Sequence, residues 1–156
     1  MKEIERKFRV NNLDFIKEAT SSYAIAQGYL NSDPERSVRI RKTSKGGFIT
    51  VKGKSSDSGL SRFEWEKSLS SKEVEALLQL CEPGTIIKDR YLVPVHGKVF
   101  EVDVFKGANK GLILAEIELT SEEEDFEKPD WLGVEVSSDA RYYNSYLSKN
   151  PFMEWD

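Results

Sequence analysis

The sequence is poor in the residues that build several common kinds of site. Its 156 residues include one cysteine, Cys81, and one histidine, His96. A single cysteine cannot form an internal disulfide, which is typical of a protein of the reducing cytoplasm. Zinc-ligand spacing and a cysteine–histidine catalytic pair are both missing, which excludes a zinc module and a thiol enzyme. Cys81 lies on an apolar helical stripe and is predicted to be buried, and His96 lies in a turn-like stretch and is predicted to be exposed.

The sequence also lacks long apolar runs and a Walker motif. Without 18 consecutive apolar residues we expect no membrane-spanning helix, and a charged start without an apolar signal core predicts a cytoplasmic protein. The glycines do not follow the G-x4-G-K-[ST] pattern of P-loop proteins. The net charge of −4 argues against general nucleic-acid binding, so we expect neither a nucleic-acid nor a membrane partner. The sequence leaves open whether the protein is a monomer or a homodimer.

What the sequence does contain is charge. Basic residues number 23 and acidic residues 27, yet 38% of the chain is hydrophobic and 11% is aromatic, which is enough for a core. No linker rich in proline, glycine or serine divides the chain, and this predicts one domain over residues 1–156.

Period-two alternation in short segments is the strongest pattern, and it predicts strands with two different faces. The eight segments are Glu3–Val10, Ala24–Asn31, Glu35–Lys42, Phe48–Lys54, Leu60–Leu69, Ile86–Val93, Lys98–Lys106 and Leu112–Thr120. Short turn-forming links between most neighbours favour an antiparallel arrangement.

Helical segments are fewer and shorter. The clearest begins at the capping box Ser70-Ser-Lys-Glu73 and ends before Pro83. The other predicted helices are Leu13–Ser21 with Asn12 as its cap, an acidic helix over Ser121–Lys128, and a last helix from Ser138 or Asp139 to about Ser148. Phe152 and Trp155 in the tail are predicted to pack back on the body. The fold class is therefore α+β and mainly β.

Charged residues alternate with apolar ones in seven of the eight predicted strands, which places the charges on one face. The basic residues of this face are Lys7, Arg39, Arg41, Lys52, Arg62, Lys88 and Arg90, and the acidic ones are Glu3, Glu5, Glu64, Glu66, Glu101, Asp103, Glu116 and Glu118. A solvated sheet surface is the simpler interpretation of any single strand. Repetition over seven strands favours a different interpretation, in which something compensates the charges. Like charges about 6–7 Å apart repel each other, by up to about 1 kcal/mol in water and by several times more when sheltered.

Eight antiparallel strands are enough to close a barrel. If the charged face points inward and the apolar face points outward onto the helices, the barrel becomes a tunnel lined with charges. Arginine and lysine groups suit a polyanion, and carboxylates suit hard divalent cations such as Mg²⁺ or Mn²⁺. We therefore predict an eight-stranded antiparallel closed barrel with a charged lumen, helices on the outside and a C-terminal helix.

The chain also resembles a known family in the order of its short motifs. Glu3-Ile-Glu5-Arg-Lys7 resembles the E-x-E-x-K signature of the CYTH superfamily, also called triphosphate tunnel metalloenzymes. The motifs that follow in order are Arg39-Ile-Arg41, Thr50-Val-Lys52-Gly53, Glu64-Trp-Glu66, Lys88-Asp-Arg90, Glu101-Val-Asp103, Glu116-Ile-Glu118 and the C-terminal stretch from Asp139 to Asn144. Together they cover nearly the whole chain.

This resemblance implies a role for each position. The residues expected to bind the triphosphate are Lys7, Arg39, Arg41, Lys52, Arg62, Lys88 and Arg90. The expected metal ligands are Glu3, Glu5 and Glu118 for the ion that activates water, and Glu64, Glu66, Asp103 and Glu116 either for a second ion or for holding the basic groups. Glu3, Glu5, Lys7, Lys88 and Glu118 are the expected catalytic residues. Arg141 and Tyr29 are further candidates for the site. The alternative for Arg141 is a salt bridge at the start of a helix, and the alternative for Tyr29 is a place in the barrel core.

The expected activity is hydrolysis of inorganic triphosphate to diphosphate and phosphate with Mg²⁺ or Mn²⁺, with two ions expected. The family also includes thiamine triphosphatases, class IV adenylate cyclases and RNA triphosphatases. A class IV adenylate cyclase or thiamine triphosphatase is the alternative, followed by a non-catalytic polyphosphate- or nucleotide-binding module and by a purely structural β-domain. Retention of every E-x-E pair favours an enzyme over a binder.

Overall fold

A computed structural model describes residues 1–155, which contain nine strands and three short α-helices. Asp156, the last residue of the predicted domain, lies outside the described residues. The strands are β1 (Lys2–Val10), β2 (Ser21–Asn31), β3 (Arg36–Thr43), β4 (Gly46–Gly53), β5 (Ser61–Leu69), β6 (Ile86–Val95), β7 (Lys98–Phe105), β8 (Ile113–Glu118) and β9 (Leu132–Glu135).

The first eight strands close into an antiparallel barrel, in the order β5-β4-β3-β2-β6-β7-β8-β1. One edge of β1 pairs with β8, where Glu5 lies opposite Glu118. The other edge pairs with β5, where Glu3 lies opposite Arg62 and the ring is completed. The predicted eight-stranded closed barrel is confirmed. The short strand β9 was not predicted, and it pairs with β1 at Phe8 and Val10, beyond the β5 pairing.

The α-helices are α1 (Phe15–Glu18), α2 (Ser71–Leu78) and α3 (Asn144–Leu147). The predicted capping box of α2 is confirmed, because the Ser70 side chain accepts from the Glu73 backbone and the Glu73 side chain accepts from Ser70. The helix lies close to β4 because Gly47 has no side chain, and a Cβ there would be 1.9 Å from Val74. None of the helices in residues 1–155 is long and apolar enough to cross a membrane.

The helix predicted over Leu13–Ser21 is much shorter in the structure. Only Phe15–Glu18 are helical, and Thr20 already donates its backbone N–H to Leu92 of β6. Asn12 does not cap this helix; its side chain accepts from the Asp14 backbone N–H instead. The residues that the local pattern assigned to the end of the helix therefore pair with β6 instead.

The acidic helix predicted over Ser121–Lys128 is wrong. The segment is a turn followed by chain without regular secondary structure, and the Glu124 carboxylate accepts from the backbone N–H and hydroxyl of Thr120. Phe126 packs edge-on against Phe8 and Phe100, with ring centroids 5.8 and 6.0 Å apart. Contacts with distant strands thus hold the segment in a non-helical path.

The last predicted helix is divided into two short pieces. Asp139 does cap a turn, since its carboxylate accepts from the Arg141 backbone, but this turn is a 3₁₀ helix over Ala140–Tyr142. Tyr143 then has extended backbone angles, with φ −70° and ψ 138°, before α3 begins. This break sets Tyr143 and Asn144 against the barrel.

The main apolar core lies outside the barrel, as an inward-facing charged surface requires. Phe8, Phe100 and Ile117 point outward from their strands and pack with Phe15 and Trp131. The Trp131 ring meets Phe15 and Phe100 edge to face at 5.9 and 5.4 Å between centroids. Burial of each such aromatic side chain contributes about 1.5–3 kcal/mol, so this layer provides much of the stability.

A second apolar cluster lies at one end of the inward face. Ile86, Phe105 and Leu114 share the inward parity of their strands and pack with Tyr142 and Leu147 of the C-terminal segment. Phe152 and Trp155 pack against the same cluster, so the prediction that the tail folds back on the body is confirmed. The inward face is therefore charged along the cavity and apolar where the C-terminal segment covers it.

Candidate active site

A charged cavity of about 240 Å³ occupies the inside of the barrel. Thirteen of the fifteen charged residues assigned to one face by parity line this cavity, and the other two, Lys88 and Asp103, are buried in its wall. The lining residues from this set are Glu3, Glu5, Lys7, Arg39, Arg41, Lys52, Arg62, Glu64, Glu66, Arg90, Glu101, Glu116 and Glu118. The charged face therefore points inward and brings cations and carboxylates together in one enclosed space.

Asp103 is bound by two buried cations. Its carboxylate accepts two hydrogen bonds from Arg90, at 2.8 and 2.9 Å, and lies 2.7 Å from the Lys88 ammonium. Burial favours the neutral acid, but Arg90 and Lys88 outweigh it and lower the pKa of Asp103 to about 2. Burial lowers the pKa of Lys88 to about 7, although Asp103 opposes this shift. With its oxygens engaged in this way, Asp103 fixes the basic groups in the wall.

Two carboxylates of neighbouring strands share one environment beside Lys7. Lys7 lies opposite Glu116 in the β1–β8 pair, with 3.8 Å between the ammonium and a carboxylate oxygen. Burial, and then the Glu116 carboxylate, raise the pKa of Glu5 well above its usual range. Burial also acts against ionised Glu116, but Lys7 and a hydrogen bond from Glu5 outweigh it and lower the pKa of Glu116 well below its usual range. A single proton is therefore favoured between the two carboxylates.

Lys52 bridges two further acidic residues at the β1–β5 closure. Its ammonium donates to both oxygens of Glu3, at 2.9 and 3.2 Å, and lies 3.4 Å from Glu64. Burial raises the pKa of Glu3, and Lys52 only partly offsets the shift. The ion pairs hold the basic group at the inner surface of the barrel.

Arg39 and Arg41 lie side by side on β3 with few anionic partners. Arg39 donates to Thr50 at 3.2 Å, but its buried Nε has no hydrogen-bond partner within residues 1–155. Burial, and then the positive charges of Arg39 and Arg90, lower the pKa of Arg41 to about 9. A buried donor without a partner and neighbouring guanidinium groups are features suited to an anionic ligand.

The C-terminal segment reaches into the same cavity, through Tyr142 and Asn144 and not through the candidate Arg141. Lys7 donates its ammonium to the Tyr142 carbonyl at 3.0 Å, and Lys88 donates to Asn144 Oδ1 at 3.0 Å. Gln27 of β2 also donates to Asn144 Oδ1 and accepts from Arg41 Nε. Gln27 shares the inward parity of Tyr29, and this was the only signal in the sequence that could have identified it.

The remaining candidates divide between the cavity and the outside. Tyr29 is 5% exposed and lines the cavity, and Arg62 lines it while donating to the Gly53 and Pro34 carbonyls. Arg141 does not line the cavity, since it is exposed and pairs with Asp139, which is the salt-bridge alternative. His96 is exposed, as predicted.

Cys81 is only half-buried, so the prediction that it belongs to the buried core is wrong. It follows the end of α2 and lies against Gly28 of β2, where an added Cβ would be 2.9 Å from the Cys81 Cβ.

The family model that describes the CYTH domain matches residues 1–147. The chain belongs to the CYTH domain family. Two curated relatives of this CYTH domain carry the name inorganic triphosphatase. The protein from Acetivibrio thermocellus is 45% identical over 99% of this chain and 97% of its own length. The protein from Nitrosomonas europaea is 37% identical over 95% of this chain and 97% of its own length. The resemblance found in the motifs is thereby confirmed.

A solved structure gives the same relationship at the level of the fold. The crystal structure of an inorganic triphosphatase superposes on this CYTH domain with a TM-score of 0.66 and 33% sequence identity. The superposition covers 94% of this chain and 97% of that chain. The similarity of the fold thus extends over nearly the full length of both chains.

CYTH domain proteins depend on metal ions in general, and the donors of this cavity are suited to one. Within residues 1–155 no three carboxylates, histidines or cysteines already converge as a metal cluster. The cavity nevertheless brings Glu3, Glu5 and Glu118 together, and burial raises the pKa of each. Carboxylate oxygens are the ligands that Mg²⁺ and Mn²⁺ prefer, and a cation would relieve the mutual repulsion of these groups.

Proposed function

We propose that this CYTH domain is a metal-dependent inorganic triphosphatase, which hydrolyses tripolyphosphate to diphosphate and phosphate. The observation that carries the proposal is the cavity of about 240 Å³, in which a set of basic side chains faces a set of carboxylates. The two full-length relatives named inorganic triphosphatase support it independently. A small triphosphate is the substrate class that these charges recognise.

The basic side chains of the cavity bind the triphosphate. Arg39 and Arg41 have the strongest claim, because one has an unpartnered buried Nε and the other is surrounded by positive charge. Guanidinium groups contact phosphate oxygens through two parallel hydrogen bonds, which fixes the orientation of the chain of phosphates. The further members of the binding set are Lys7, Lys52, Arg62, Lys88 and Arg90.

Lys88 and Arg90 act from positions that Asp103 fixes. Both cations contact this buried carboxylate, and Lys88 is fully buried, so neither side chain can swing freely into the cavity. We assign Asp103 to holding these two groups rather than to a metal ion. Preorganised cations stabilise charge that develops during phosphoryl transfer without a further cost of reorganisation.

The carboxylates Glu3, Glu5 and Glu118 hold the ion that supports catalysis, and Glu64, Glu66 and Glu116 hold a second ion or the basic groups. A divalent cation at the first set, Mg²⁺ or Mn²⁺, would supply Lewis-acid charge to the phosphate oxygens and activate the attacking water. Ion pairing with Lys52 keeps Glu3 in place before substrate binds.

In the reaction a water oxygen forms a bond to a terminal phosphorus while the bond to the bridging oxygen breaks. Arg and Lys side chains neutralise the departing diphosphate, and the carboxylate cluster takes up the proton that water releases.

An assay of the purified protein with Mg²⁺ or Mn²⁺ tests the proposal. Tripolyphosphate, thiamine triphosphate and ATP are supplied separately, and phosphate release and cyclic AMP are followed. Fast phosphate release from tripolyphosphate is expected. Formation of cyclic AMP from ATP would show that the reaction is cyclisation and not hydrolysis. Preference for thiamine triphosphate would show that this compound is the substrate. Binding without turnover would show that the domain only binds its ligand.

We further propose that residues 1–156 act as one domain in the cytoplasm, without a nucleic-acid or membrane partner. The closed barrel and the tail folded onto it support a single unit, since all nine strands within residues 1–155 belong to one sheet. Size-exclusion chromatography with light scattering distinguishes a monomer from a homodimer.

A further inference from the structure

Asn144 connects the C-terminal segment to the buried cations of the barrel wall. Its side-chain oxygen accepts from the Lys88 ammonium at 3.0 Å and from Gln27 Nε2 at 3.1 Å. Gln27 is fully buried, and its own oxygen accepts from Arg41 Nε at 2.8 Å. Asn144 and Gln27 are 117 positions apart in sequence, so the contact exists only in the folded barrel.

The two donors fix which way the Asn144 amide points. An ammonium group can only donate, so the Asn144 atom that faces Lys88 must be the oxygen. Arg41 can also only donate, so the Gln27 oxygen must face Arg41 and the Gln27 nitrogen must face Asn144. Both constraints give the same orientation of Asn144, in which the Nδ2 amide points away from the barrel wall.

The Asn144 Nδ2 group is therefore a hydrogen-bond donor at the cavity that has no acceptor within the described residues. Asn144 lines the cavity, and within residues 1–155 its Nδ2 donates to no acceptor. This nitrogen lacks a partner but is not one of the buried polar atoms that do so. It is therefore accessible from the cavity or from solvent. The Oδ1 atom of the same side chain bonds directly to the cation Lys88, and through Gln27 to the cation Arg41, and both cations attract phosphate.

We propose that Asn144 is a substrate-binding residue whose Nδ2 donates to a phosphate oxygen, while its Oδ1 fastens the C-terminal segment to Lys88 and Gln27. Gln27 is the positioning residue that sets this orientation through Arg41. The identity of the ligand rests on the proposed function, but the contact requires only a phosphate oxygen in the cavity. The C-terminal segment thus completes the binding site as well as covering one end of the barrel.

Substitution by aspartate separates the two roles of this residue. Asn144→Asp keeps an acceptor for Lys88 and Gln27, so the fold is retained, but it removes the donor and places a negative charge where phosphate binds. Loss of a hydrogen bond to a charged group weakens affinity by about 10- to 100-fold. Asn150→Asp is the matched control, because Asn150 is an exposed residue of the same segment that does not line the cavity.

Affinity is measured by calorimetric titration with tripolyphosphate in EDTA, where hydrolysis cannot interfere, and melting temperatures are measured alongside. We expect Asn144→Asp to bind at least about 10-fold more weakly than wild type with an unchanged or higher melting temperature, and Asn150→Asp to bind within about 2-fold. With Mg²⁺, the Asn144→Asp change should raise KM more than it lowers kcat. Equal affinity of folded Asn144→Asp and wild type would overturn the proposal.

A second measurement does not depend on the stability of the variant. In wild-type protein labelled with ¹⁵N-asparagine, the Asn144 side-chain amide signal should shift when tripolyphosphate is added. An unchanged signal at saturation would overturn the contact. If wild type binds tripolyphosphate but does not hydrolyse it, the proposed activity fails while this contact is still tested. If wild type prefers thiamine triphosphate or ATP, the same titrations are run with that compound.

Discussion

Replacing Asp103 by asparagine tests whether a buried carboxylate stabilises the cations of the barrel wall. The carboxylate is 2% exposed, contacts Arg90 twice and lies 2.7 Å from Lys88. Asparagine has nearly the same shape as the protonated acid but cannot carry the negative charge. The variant therefore isolates the charge at a position where the packing is nearly unchanged.

The magnitude follows from the depressed pKa of Asp103. Arg90 and Lys88 outweigh burial and lower this pKa from its ordinary 3.8 to about 2, which corresponds to about 2 kcal/mol of stability from the ionised form. In the variant two buried cations also lose their partner, so the total loss at pH 6 is about 3–5 kcal/mol. Because the folded-state pKa lies below the unfolded value, the carboxylate stabilises above about pH 4. Its contribution disappears as the pH falls towards 2.

Urea denaturation followed by tryptophan fluorescence measures this contribution. Wild type and Asp103→Asn are compared in EDTA at pH 6, 4, 3 and 2. The difference in unfolding free energy between them should shrink by about 2 kcal/mol from pH 6 to pH 2. Asp89→Asn is the control, because it removes an ion pair with Lys106 on the outer face of the neighbouring strand β6 and should cost less than about 1 kcal/mol. A difference that stays constant with pH would refute the reasoning.

Substitutions at three further positions test the cavity itself. Glu5→Gln should raise the melting temperature of the metal-free protein more at pH 8 than at pH 5, because burial and then Glu116 raise the pKa of Glu5 and make its ionised form unfavourable in the folded state. An equal effect at both pH values would contradict this. Glu118→Gln should lower kcat by at least about 100-fold while tripolyphosphate still binds. This is a larger effect than expected for a residue that only orients a metal ligand. Unchanged turnover would remove Glu118 from the metal site. Arg39→Ala should raise KM by about 10- to 100-fold, and Arg39→Lys should recover only part of the loss because it lacks the planar fork. Full recovery by lysine would show that charge alone matters.

Local pattern was a poor guide where distant contacts decide the backbone. Residues 121–128 have an acidic, helix-like composition, but Phe126 packs on Phe8 and Phe100, and Glu124 pairs with Lys98. The four residues of β9 are too few for an alternating pattern to indicate a strand, and they form one only because β1 offers a free edge beyond β5. In both cases the partner is more than 20 residues away, so no local signal could report it.

The sequence by itself determined the strands of the barrel, the charged face and the family. Side chains alternate strictly along a strand, so charge-x-charge motifs place their charges on one face, and eight such strands can shelter those charges only by closing around them. The sequence also contained every motif that resembles the CYTH family. These features are local or periodic, and they can be read without knowing which strands are neighbours.

Only the tertiary structure decided which charges meet and which neutral groups hold them. Pairing of β1 with β8 places Glu5 beside Glu116, and pairing of β6 with β7 places Asp103 beside Lys88 and Arg90; these contacts set the pKa shifts. The fold also brings Asn144 of the C-terminal segment to the barrel wall, where it accepts from Lys88. Hydrogen bonds and Coulomb interactions act over a few ångströms of space, whatever the separation in sequence, so they become defined only when the strands have paired.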